Sequence, residues 1–125
     1  MANIETNYIE TYKKVLLLSR LCYETIRGYS NSIGEDHLDI WYETSDNIRE
    51  FVVQEVLHNL SNEDVSVEEA HSRWCKYMKK EGWKFGESID CDKKEHHNLV
   101  DYDDLKPEQK SKYHIFRTLC NFHKE

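Results

Sequence analysis

The chain has 125 residues, a formal net charge of −7 and 38% hydrophobic content. That length suits one domain around a single core, and 12% aromatic content excludes a disordered chain despite 33% charged residues. The acidic balance argues against duplex nucleic acid as a partner, because neutralising phosphates takes a clear basic face.

One proline and four glycines leave few breaks, which favours helices. Apolar and aromatic residues recur at Tyr8, Tyr12, Val15, Leu18, Cys22, Ile26 and Tyr29, and these steps of three and four predict a helix from Thr6 to Tyr29. Gly28 or Gly34 would stop it. Ser45 is a good N-cap for a second helix to about Leu60, with Ile48, Phe51, Val52 and Val56 on one face. Ser66 and Glu69 form the S-x-x-E pattern that opens a third. That helix buries Val67, Ala70, Trp74 and Tyr77 or Met78, and Gly82 ends it. Residues 83 to 102 are polar and irregular, with room for short strands. Pro107 begins the last helix, which buries Tyr113, Phe116, Leu119 and Cys120 or Phe122.

The two halves resemble each other faintly. Tyr23 lies eleven residues before Gly34, as His71 does before Gly82. Trp41 stands four before Ser45, and Tyr102 four before Lys106. The expectation is a mainly α single domain of two quasi-repeated helix-loop-helix units, residues 6–60 and 66–123, with the longer loop in the second. Nested about a pseudo-twofold axis, the pairs would bury both apolar faces and lay the long loop beside the short one.

Charge is uneven. From Lys76 to His97 there are six lysines against five acids, so this window can meet an anion more cheaply than the rest. Cys22, Cys75, Cys91 and Cys120 form no CxxC and no signal peptide precedes them, which points to reduced thiols in a cytoplasmic protein. The run Val15–Leu18 is far too short to cross a bilayer.

The second half carries a recognisable pattern. A helix with His71 and Trp74 is followed by Gly82, Trp83, Phe85 and Gly86, then by spaced Asp90, Lys94 and His96. Tyr102, Leu105 and Phe116 complete it. This order resembles the ryanodine receptor repeat, or RyR domain. Cys22 to Tyr29, Gly34 to Asp36 and Trp41 resemble the segment that precedes it in stand-alone bacterial and phage members, so the likeness runs over roughly residues 9 to 120. The chain departs from the family pattern in having Tyr23 for histidine, His97 and Asp101 for two prolines, and Tyr113 for aspartate. The resemblance implies the fold. For stand-alone members it also implies binding of nucleotide-derived signals in conflict between bacteria and phages.

The residues suggest how such a ligand would be held. Trp83, Phe85, Trp41 and Tyr102 offer flat faces to a base, and Lys84, Lys94, His96 and Arg27 offer donors to phosphate or ribose. Lys94 and His96, two apart in extended backbone, are expected to point the same way. One stack at about 1–3 kcal/mol and two charge-assisted bonds at about 1.5–3 each give roughly 4–9 kcal/mol gross, where micromolar affinity needs about 8. The expected function is therefore non-catalytic binding of a small anionic, nucleotide-like ligand between the two long loops, with no cofactor.

A second reading is a protein-interaction module in which the same aromatics grip a partner or a second copy. A third is a metal-dependent enzyme, with His71 and Cys75 at i and i+4 as the leading ligands and Cys120, His123, Cys91, His96 and His97 as further ones. Cys91 or Cys75 beside a histidine, and Asp103 with Asp104, are the remaining catalytic candidates. Neither has a recognisable spacing, and no Walker loop or GxSxG elbow is present.

Overall fold

The computed structural model describes residues 4–124. Four helices carry the architecture: α1 (Ile4–Ser32), α2 (Asp46–Ser61), α3 (Val67–Lys80) and α4 (Pro107–Phe122). Their ends are set by local chemistry. The Ser45 hydroxyl accepts from the Ile48 amide at 3.2 Å, and that of Ser66 from the Glu69 amide at 3.0 Å, each satisfying a donor the helix leaves free. Gly28 lies inside α1 rather than ending it; Gly34 (φ 86°) makes the turn, as Gly82 (φ 93°) does after α3.

The two glycines occupy matching places just past the first helix of each pair, in agreement with a doubled unit. α1 packs on α2 and on α4, and α4 also contacts α2 and α3. The core lies where α1, α2 and α4 meet. Val15, Leu18, Cys22, Val56 and Cys120 form one buried cluster, and Tyr23, Trp41 and Val52 a second beside it. Inside the first, the Cys22 and Cys120 thiols face each other at 4.0 Å. Phe122 does not share the buried face of α4 with Cys120. It sits at the end of the helix and is exposed.

The long connector is pinned rather than splayed. β1 (Lys84–Phe85) pairs in parallel with β2 (Glu95–His96), and Asp90 bridges back to Glu95. Past β2, Asn98 and Leu99 are buried, and a 3-10 turn (Tyr102–Asp104) leads through buried Leu105 into α4. The connector lies against the first loop. His96 meets His37 with ring centroids 5.7 Å apart, and Asn98 bonds Gln109, which in turn bonds Glu35.

Candidate functional site

A cavity of about 410 Å³ opens at the junction of the two helix pairs. Its walls come from every helix and from the connector: Tyr23, Ile26 and Ser30 of α1; Phe51, Val52 and Glu55 of α2; Trp74, Tyr77 and Met78 of α3; Trp83, Cys91 and His96 of the connector; Gln109, Lys112 and Phe116 of α4. Aromatic faces dominate it. Phe51 stacks on Tyr77 across the α2–α3 side at 4.6 Å, and Trp74 stands edge-on to His96 at 5.0 Å. The same side is tied by the Arg73 guanidinium, which donates twice to the largely buried Glu55 carboxylate at 2.7 and 3.0 Å.

The end of the cavity at Gln109 and Lys112 is polar, and both residues reach Glu35 just outside the lining. Glu35 accepts from Gln109 and from the Lys112 ammonium, both at 2.5 Å, with His97 3.8 Å away. Burial raises the Glu35 carboxyl, but the bonds from Lys112 and Gln109 outweigh it and hold the group below the usual carboxylate range. Two imidazoles nearby are neutral. Burial, then the neighbouring imidazoles of His37 and His97 and the Lys112 charge, pushes His96 down to about 3. Burial and Lys112 likewise lower His37. Two atoms there, Ser30 Oγ and His37 Nδ1, are buried and have no hydrogen-bond partner among the described residues. Such groups are rare in native folds, because an unmade bond costs about 1–3 kcal/mol. Both residues line the cavity.

The sequence-derived candidates divide between this cavity and other duties. Trp83 and His96 line it. Trp83 follows the Gly82 turn, and its amide bonds the Met78 carbonyl at 2.9 Å. Trp41 is not a stacking platform. It is buried edge-on to Tyr23 at 5.5 Å, and its amide donates to Glu24. Arg27 braces the same carboxylate, its guanidinium 2.8 Å from Glu24 Oε1. Lys84 is exposed in β1, 3.9 Å from Glu95. Tyr102 lies outside the cavity lining, its hydroxyl 3.3 Å from His114 Nε2.

Lys94 and His96 do not converge. Lys94 has φ 54°, which breaks the extended alternation, and its ammonium donates to the Glu81 carbonyl at the end of α3. His96 turns inward, where Nδ1 accepts the Asn98 amide at 3.0 Å. The groove between the two loops also differs from expectation. It measures about 690 Å³ and is lined by Glu35, Asp36, Glu87 and Asp104 against His97 and Lys106, an acid-rich surface. It shares His37, Asn98 and Gln109 with the aromatic cavity as a common wall.

The metal and nucleophile candidates are placed as well. His71 is fully buried, with Nε2 2.6 Å from the Val100 carbonyl and Nδ1 2.6 Å from the Tyr113 hydroxyl. A carbonyl only accepts, so Nε2 carries the proton and Nδ1 accepts from Tyr113. Cys75 is 3.4 Å from that protonated nitrogen, which therefore has no lone pair with which to take its proton. Burial raises the Cys75 and Cys91 thiols. Asp103 and Asp104 are exposed in the 3-10 turn. Among the described residues, no three His, Cys, Asp or Glu side chains converge as metal ligands.

Ser30, His37, Gln109 and the ionic role of Glu35 and Lys112 were not singled out by sequence reasoning. Glu35 stood directly after the turn glycine and Lys112 directly before Tyr113, both within the family likeness, but neither position showed that the two would pair. The Glu35–Lys112 pair spans 77 positions, which no local pattern encodes.

Among the described residues no helix is long and apolar enough to cross a membrane. A search of curated proteins and one of solved structures gave no match. The RyR domain profile matches residues 47–120, from the start of α2 to Cys120 of α4, and so covers α2, α3, the connector and nearly all of α4. The chain belongs to the RyR domain family.

Proposed function

We propose that this domain is a non-catalytic receptor for a small nucleotide-derived molecule, whose flat ring lies in the cavity between the helix pairs. The observation that carries the reading is the aromatic lining by Trp74, Trp83, Tyr77 and Phe51 together with the two unpaired buried atoms, Ser30 Oγ and His37 Nδ1. A volume of about 410 Å³ falls in the range of small-ligand sites. Both orphaned atoms are closed to water, so a ring stacked there would bond to them as the Ser30 and His37 side chains turn toward it. The interior favours an uncharged group, since Glu35 and Lys112 compensate each other and His37 and His96 are neutral. Phosphate would sit at the rim.

The supporting experiment is thermal shift and calorimetry with cyclic, dinucleotide and ADP-ribose-type ligands, with inorganic phosphate as control. Binding in the micromolar range is expected. Trp83→Ala should weaken it about 5- to 100-fold, the loss of one stack. Absence of any response from folded protein would overturn the reading. Partner capture by loop aromatics has narrower support, since Phe85 is exposed while Trp83 and Tyr102 are partly buried.

A further inference from the structure

The aromatic cavity has a polar corner whose hydrogen-bonding directions are fixed from outside it. Glu35 sets the first. A carboxylate only accepts, so Gln109 turns Nε2 toward it and its carbonyl Oε1 the other way. That carbonyl takes Nδ2 of Asn98 at 2.7 Å. Asn98 is left with Oδ1 at its free end, an acceptor without a partner among the described residues. The residue lines the cavity and is only 8% exposed.

His96 is fixed in the opposite sense. Its Nδ1 accepts the Asn98 amide, so the proton of the neutral ring sits on Nε2. The ring is packed in place by Trp74, His97 and His37, with centroids 5.0, 5.2 and 5.7 Å away. Nε2 has no partner among the described residues, and it is not closed off as Ser30 Oγ and His37 Nδ1 are. His96 is 4% exposed and lines the same cavity. A set donor and a set acceptor thus stand two residues apart on the connector.

We infer that His96 and Asn98 read the edge of the bound ring, and that Glu35 and Gln109 are the residues that position them. The inference rests on the receptor reading of this cavity. The edge that answers the pair carries an acceptor for His96 beside a donor for Asn98. Amino-substituted bases offer a ring nitrogen beside an exocyclic amine. Their oxo counterparts offer a ring N–H beside a carbonyl, with the exocyclic group in the opposite role. The surrounding charge decides between them. Glu55 is compensated by Arg73, and Lys112 by Glu35. Of the other charges in the lining, Glu81 follows α3 beside Trp83, and Asp39 is close enough to Cys91 to raise its thiol. Arg117 is turned to the Val65 carbonyl. Two carboxylates on the connector side favour the partly positive amine over a partly negative carbonyl. The ligand class is therefore an amino-substituted base, adenine or cytosine.

Calorimetry with AMP against IMP, and with CMP against UMP, tests this, since each pair exchanges an amine for a carbonyl at nearly constant shape. The amino member should bind roughly 10- to 100-fold tighter, because its counterpart sets a carbonyl against a buried acceptor. Glu35→Gln gives a readout that a merely structural role would not move. Lys112 only donates, so the new amide must turn its oxygen to Lys112 and its nitrogen to Gln109. Gln109 and Asn98 then both reverse, and Asn98 presents Nδ2 to the ring. In the folded variant, checked by circular dichroism, the preference for AMP over IMP should fall to parity or invert. Equal binding within both pairs by the wild type, or an unchanged preference in the variant, overturns this proposal and leaves the receptor reading standing. Absence of binding by all four nucleotides overturns both. The wild-type comparison decides the matter whether or not the variant folds.

Discussion

Lys94 adopts left-handed backbone, φ 54°, and its ammonium donates to the Glu81 carbonyl at 2.8 Å, where α3 has run out of partners for its last carbonyls. A cation at a helix C-terminus also meets the negative end of the dipole. The residue that looked most like an anion ligand thus closes a helix. Lys94→Ala is expected to cost about 0.5–1 kcal/mol, a drop in Tm of about 2–6 °C, and to leave nucleotide binding unchanged. A melt and a titration on one preparation check both halves. His96 shows the converse. Two positions on, it is buried against Trp74 and held neutral, so it serves the cavity as a ring and not as a charge.

At the scale of elements, the helices were legible because their boundaries rest on local chemistry. Ser45, Ser66, Gly82 and Pro107 each act within a turn of the helix they start or stop, and all four are found in those roles. The connector was legible only as irregular. Nothing local marks a lysine for positive φ, and nothing local says that Trp41 is buried while Trp83 faces a cavity. Those outcomes depend on contacts across the chain, such as Trp41 with Tyr23 or His96 with His37. The glycines give a test at this scale. A β-carbon on Gly28 meets nothing within 4 Å, so Gly28→Ala should stabilise α1 by about 0.5–1 kcal/mol. One on Gly86 would lie 2.5 Å from Glu95 Cβ, an atom fixed by the β1–β2 pairing. Gly86→Ala should therefore destabilise by about 1–3 kcal/mol. Denaturant titration of the two variants would show opposite shifts in midpoint.

For the whole molecule, the neutral buried imidazoles tie stability to pH. His96, His37 and His71 all have folded-state values below the ordinary 6.5, each chiefly through burial. The unfolded chain therefore binds protons that the folded one refuses. Their contribution is complete above about pH 6.5 and is lost as pH falls. For His96, which reaches about 3, the slope is about 1.4 kcal/mol per pH unit below 6.5. Glu35, held below the carboxylate range, adds to the same trend at lower pH. A melting series from pH 7.5 to 5 should show Tm falling steadily, and a flat profile would contradict neutral buried rings.

The paired sulfurs of the α1–α4 seam have a consequence for following the protein in solution. Cys22 and Cys120 are fully shielded, whereas Cys91 is open and Cys75 partly so. A chromogenic disulfide reagent should therefore label Cys91 of the intact protein first, the half-buried Cys75 more slowly, and then pause. The last two thiols would react only when the seam parts, at a rate set by global opening. The chain thus carries its own stopwatch for unfolding, readable without any introduced dye.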